Sequence, residues 1–100
     1  MLTDLLFYHH NTIFMKQTVE TTLRQMFKDY LGEISLDIHG EISHETHLKD
    51  DLGLDSLDIL VILMQIEKSY NFDFTSKEEE TLTYNPTFGN FVEVIYKKIR

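Results

Sequence analysis

Apolar residues in this sequence return every three or four positions in four separate stretches, and no stretch of any length alternates as a strand would. That periodicity points to helices packed on helices. The first stretch, residues 16–31, puts Val19, Leu23, Met26, Phe27, Tyr30 and Leu31 on one face, with Gly32 placed as a C-cap. The second begins at Asp55 or Ser56, either of which has a side-chain oxygen able to cap it, and ends near Tyr70. A short third, about Ser76 to Leu82, follows two overlapping capping-box patterns, Thr75-x-x-Glu78 and Ser76-x-x-Glu79. Asn85-Pro86 marks a turn. The last helix, about Thr87 to Ile99, gathers Phe88, Phe91, Val92, Ile95 and Ile99, and Lys97, Lys98 and Arg100 suit the negative end of its dipole. These signals predict an all-α fold, a small four-helix bundle with three longer helices and one short.

Residues 33–54 form a long connection between the first two helices. Ile34, Leu36, Ile38 and Ile42 alternate with polar residues over part of it, but a single strand would have no partner. The better expectation is a loop whose apolar residues dip into the core. Structureless connections of this length tend to be functional.

Size and charge narrow the function. One hundred residues make one small domain, which buries roughly 60–65% of its unfolded surface. No cysteine is present, so disulfides and thiolate metal sites are excluded and a reducing cytoplasm is expected. The formal charge of −8 disfavours nucleic acid and favours partners that present Lys and Arg. No apolar run approaches the roughly 18 residues that span a bilayer, and residues 1–15 lack the basic region of a signal peptide. A monomer is expected.

The second helix has two apolar sides. Ile59, Ile62, Leu63, Ile66 and Tyr70 share one stripe, which is the core face. Leu57, Leu60, Val61 and Met64 share the opposite stripe, where a surface helix should be polar. A domain this small has little room for a helix enclosed on both sides, so the second stripe reads as a partner-binding face. The adaptable thioether of Met64 suits that role, and Glu67 and Lys68 flank it.

Ser56 stands at the head of this helix. A catalytic serine needs a base and oxyanion donors, and Leu54-Asp55-Ser56-Leu57-Asp58 lacks the glycines of a nucleophile elbow. Position alone would make Ser56 a cap. His44 and His47 are two imidazoles on a loop, too few to define a zinc site. Asp50, Asp51, Asp55 and Asp58 lack the order of a calcium-binding EF-hand loop. No metal site is expected.

The run Asp51-Leu52-Gly53-Leu54-Asp55-Ser56-Leu57-Asp58 resembles the signature of acyl carrier proteins. The resemblance covers about 85 residues, from Lys16 to Ile99, including Leu48, the long first loop, the acidic third helix and the Thr87-Phe88 helix start. It implies that Ser56 carries a 4'-phosphopantetheine arm, transferred from coenzyme A by a phosphopantetheinyl transferase, with Asp55 and Leu57 beside the attachment point. Asp55 would lie near the metal of that enzyme. The chain would then be a carrier and not an enzyme, delivering thioester-bound acyl groups to a ketosynthase and other chain-processing enzymes. Asp58, Leu60, Val61, Met64 and Glu67 would form the docking face, and Ile62, Leu63 and Ile66 would shelter the acyl chain. Met15-Lys16 resembles the start of such a carrier, which makes 16–100 the carrier domain and 1–15 an extension, either from an upstream start codon or an added helical segment.

The sequence departs from typical fatty-acid carriers on the docking side. Val61 stands where those carriers commonly have Glu, and Lys68 replaces a further acid. The departure points away from housekeeping fatty-acid synthesis and towards a specialised, polyketide-like pathway. The competing reading is an unmodified helical interaction domain of the same fold.

Overall fold

The computed structural model describes the backbone of residues 2–33 and 41–100, and the side chains of residues 15–32 and 41–100. Four helices follow one another: α1 (Leu2–Glu33), α2 (Ser56–Tyr70), α3 (Ser76–Tyr84) and α4 (Phe88–Ile99). Among the described residues there is no strand, only one antiparallel bridge between His47 and Thr87. The expected all-α architecture stands. Most of the alternating segment, residues 34–40, lies outside the described residues.

Each short helix begins as its capping residues dictate. At α3, Thr75 accepts from the Glu78 amide and the Glu78 carboxylate accepts from the Thr75 amide, so the first of the two overlapping boxes is the one used. The helix runs on to Tyr84, two residues beyond Leu82. Thr87 caps α4 through the Asn90 amide at 3.2 Å. α2 ends at Asn71, which takes the left-handed conformation at φ 56°.

Two expectations about α1 are corrected. Gly32 is not a cap: α1 continues through Glu33, and the one described glycine with positive φ is Gly53. Glycine permits a left-handed stop but does not force one. The helical backbone also begins at Leu2, well before residue 16.

Phe27 of α1 sits at the centre of the core, edge-to-face with Phe88 and Phe91 of α4 at 5.7 and 5.6 Å. Val19, Leu23 and Leu31 extend the same face of α1, while Ile59, Ile62, Leu63 and Ile66 bring α2 onto it. Tyr70, expected on the core stripe, is only half-buried and stacks on Phe72 at 5.9 Å.

The long loop is tied down by its apolar residues, as expected. Ile42, Leu48 and Leu54 are buried. The loop backbone is held by the entry to α4: Leu48 N–H donates to Pro86 O at 2.8 Å, and Phe88 N–H donates to Thr46 O at 2.9 Å. Gly89 N–H donates to His44 O at 3.0 Å, and a Cβ at Gly89 would lie 2.9 Å from that same oxygen. A side chain there would push the loop off α4. Next comes a compact turn in which Asp51 N–H reaches His47 O and Gly53 N–H reaches Lys49 O. Gly53, at φ 73°, ends the turn and sends the chain into α2.

Candidate functional site at the head of the second helix

Asp55 settles which residue caps α2. Its carboxylate accepts from the Asp58 amide at 2.9 Å, and the Asp58 carboxylate accepts from the Asp55 amide at 3.0 Å. This reciprocal pair satisfies orphan donors of the first turn without using Ser56. Ser56 therefore occupies the first helical position, exposed, with its hydroxyl outside the cap. Gly53 and the cap together fix where that hydroxyl sits.

Tyr30, buried in α1, adds a third contact. Its hydroxyl donates to Asp58 Oδ1 at 2.6 Å, tying the end of α1 to the start of α2. Backbone hydrogen bonding with Asp55, then the Tyr30 hydroxyl, hold the Asp58 carboxyl below its ordinary value. Asp58 thus stays ionised and fixed in direction. The three-and-four spacing puts Tyr30 on the core stripe, and nothing in that periodicity announces its polar tip.

Lys49 is the second residue that the pattern did not reveal. It lies in the turn before Gly53, and its ammonium donates to Ser56 Oγ at 3.2 Å. No periodicity links a loop residue to a serine seven positions later; only the 47–54 turn brings them together.

His44 and His47 serve the scaffold. His44 Nε2 lies 2.7 Å from Glu20 Oε1, and His47 Nδ1 accepts from the amides of Lys49 and Asp50 at 3.2 and 3.1 Å. The Asp51 carboxylate accepts from the His47 amide at 2.7 Å. These bonds stiffen the turn and do not present a base to Ser56. The described residues hold no cluster of three or more metal-ligating side chains.

Beyond Ser56 the outer side of α2 is apolar and open: Leu57 is 70% exposed, Leu60 46% and Met64 67%. Val61 of this stripe and Glu67 beside it also make contacts within the fold. Val61 is half-buried and packs against the core from the edge of the stripe. Glu67 turns its carboxylate to the Phe74 amide at 2.8 Å and so organises the connection to α3. Ile62, Leu63 and Ile66 are packed into the core. An apolar cleft of about 310 Å³ opens at the other end of the bundle, between Val19, Thr22, Tyr70 and Ile99.

An exposed hydroxyl at a helix start fits a phosphate ester, because first-turn amides and the dipole favour an anion, and Lys49 adds a cation beside it. A small helical scaffold that leaves one hydroxyl exposed at a helix head suits a carrier domain. The family profile described as "Phosphopantetheine attachment site" matches residues 21–95. The chain is also 34% identical over 67 residues to the acyl carrier protein of Buchnera aphidicola subsp. Baizongia pistaciae (strain Bp), covering 67% of this chain and 81% of that protein. The chain belongs to the acyl carrier protein family, whose members carry a covalent 4'-phosphopantetheine and are not catalysts. Carriers of this family meet a phosphopantetheinyl transferase and synthase enzymes. Among the described residues no helix is long and apolar enough to cross a membrane.

Proposed function

We propose that Ser56 is the attachment residue, and that Asp58, Leu57, Leu60 and Met64 form the surface on which partner enzymes dock. The carrier domain takes residues 16–100. The observation that best supports the attachment reading is the cap: Asp55 does the structural work at the helix start, and Ser56 is left exposed. In the loading reaction Ser56 Oγ attacks the β-phosphorus of coenzyme A and forms the phosphodiester. The bond to the α-phosphate breaks, 3',5'-ADP leaves, and the hydroxyl proton passes to a base of the transferase. The arm supplies a thiol that holds acyl groups as thioesters, a function the chain cannot provide itself, having no cysteine. Incubation with a promiscuous transferase and coenzyme A, followed by intact mass, tests this. One phosphopantetheine is gained by the natural chain and none by Ser56→Ala; an unmodified natural chain, beside a control carrier that loads, would favour the unmodified interaction domain.

We further propose a dedicated, polyketide-like set of partners rather than a housekeeping one. The outer side of α2 meets them with Leu57, Leu60 and Met64, and at its edge Val61 stands where typical fatty-acid carriers commonly have Glu, with Lys68 in place of a further acid. The edge position of Val61 means that a carboxylate there would reach the same surface. Val61→Glu and Leu60→Ala should each slow turnover with the native ketosynthase. Unchanged turnover in both would sink the idea.

A further inference from the structure

We propose that Lys49 is a positioning residue for the arm, pairing with the phosphodiester and holding its root against the first turn of α2. The inference rests on the reading of Ser56 as the attachment site. It starts from an electrostatic difficulty. The signature places a new anion beside Asp55 and Asp58, both carboxylates already engaged in the cap. Asp50 and Asp51 stand on the same turn, Asp51 bonded to the His47 amide and Asp50 at 3.7 Å from His47 Nδ1. An anion added to this neighbourhood is repelled unless a cation offsets it, and first-turn amides supply only partial charge.

Lys49 supplies the full charge. Its ammonium already touches Ser56 Oγ, the atom that becomes the ester oxygen. The non-bridging phosphate oxygens lie two bonds from that atom, so a side-chain rotation brings one into a charge-assisted hydrogen bond without moving the backbone. Two features keep Lys49 in place. Its amide donates to His47 Nδ1, and its carbonyl accepts from Gly53 N–H at 3.0 Å, which anchors the stem in the turn. The turn in turn is fixed to α4 through Leu48 and Pro86. The consequence is an arm whose first bonds are oriented while its thiol end stays free to move between partners.

The test compares natural, Lys49→Gln and Lys49→Arg proteins, each loaded with the transferase and coenzyme A, checked by intact mass and examined by ³¹P NMR. In the natural protein and Lys49→Arg, the phosphodiester resonance should move as salt is raised, since screening shortens from about 10 Å at 0.1 M to about 3 Å at 1 M. In Lys49→Gln it should start near the high-salt position, narrow and insensitive to salt. A Lys49→Gln chain that resists loading while Lys49→Arg loads would also support a cation acting on this phosphate. Identical ³¹P position, width and salt response in natural and Lys49→Gln proteins would overturn the inference and leave the Ser56 reading intact. Failure of the natural chain to gain the arm would instead remove the reading on which both stand.

Discussion

The two sides of α2 are built from the same residue types and meet opposite environments. Ile59, Ile62, Leu63 and Ile66 are all but sealed, and Leu57, Leu60 and Met64 stand in solvent half a turn away. Burial explains the first set, since each side chain contributes its transfer free energy and fills space. Nothing inside the fold explains the second set. An exposed apolar stripe adds little to stability and invites association, so its natural account is a surface that meets another molecule. The head of the helix repeats the contrast at smaller scale: Asp55 and Asp58 are locked into each other, and Ser56 between them is left out.

That contrast is most severely tested by stability. Ile62→Ala should lower unfolding free energy by about 2–5 kcal/mol, since it empties a site with almost no exposure. Urea denaturation would read it. A loss under 1 kcal/mol would mean that the inner side is looser than described.

Tyr30→Phe should cost less, about 1 kcal/mol for a hydrogen bond to a partly exposed carboxylate. It also has a pH signature. A carboxyl held below its ordinary value of 3.8 on folding stabilises fully above that pH, and loses its contribution as pH falls through the lowered value. The natural protein and Tyr30→Phe should therefore differ most near neutrality and converge below about pH 4. Parallel curves down to pH 2 would show that the Tyr30 contact does not act through the charge of Asp58.

The outer side should give the smallest stability effect. Leu60→Ala and Met64→Ala should each change unfolding free energy by no more than about 0.5 kcal/mol. Acyl transfer with the native ketosynthase should nevertheless fall about tenfold, the scale of a lost anchor at an interface centre. A large stability loss with unchanged transfer would reverse the roles assigned to the two sides.

Much of this was legible in the sequence, and the exceptions share a cause. Helix number, the start and end of α2, and the buried members of its inner stripe follow from three-and-four spacing and capping residues. The resemblance implies an attachment point at Ser56, while spacing alone leaves it open whether Asp55 or Ser56 is the cap, because the two are adjacent and chemically able to do the same job. The reciprocal Asp55–Asp58 bonds give the cap to Asp55 and leave Ser56 exposed beside it. Spacing does not show that Val61, at the stripe's edge, also packs against the core, or that the Glu67 carboxylate finds the Phe74 amide seven residues on. Gly32 shows that a permitted conformation is not an adopted one. Lys49 and Tyr30 were invisible to periodicity because their partners lie across a turn and across a helix pair, contacts that exist only once the loop is packed.

The most direct measurement uses the chain as its own cell makes it. Cleavage after Lys49 and Lys68 releases residues 50–68, a peptide in which Ser56 is the single hydroxyl-bearing residue. Tandem mass spectrometry of that peptide from natively expressed protein should find phosphopantetheine on it, with fragments placing the added mass at Ser56. An unmodified 50–68 peptide from cells in which a control carrier is loaded, or the added mass on a peptide holding Ser43, Ser69 or Ser76, would contradict the account.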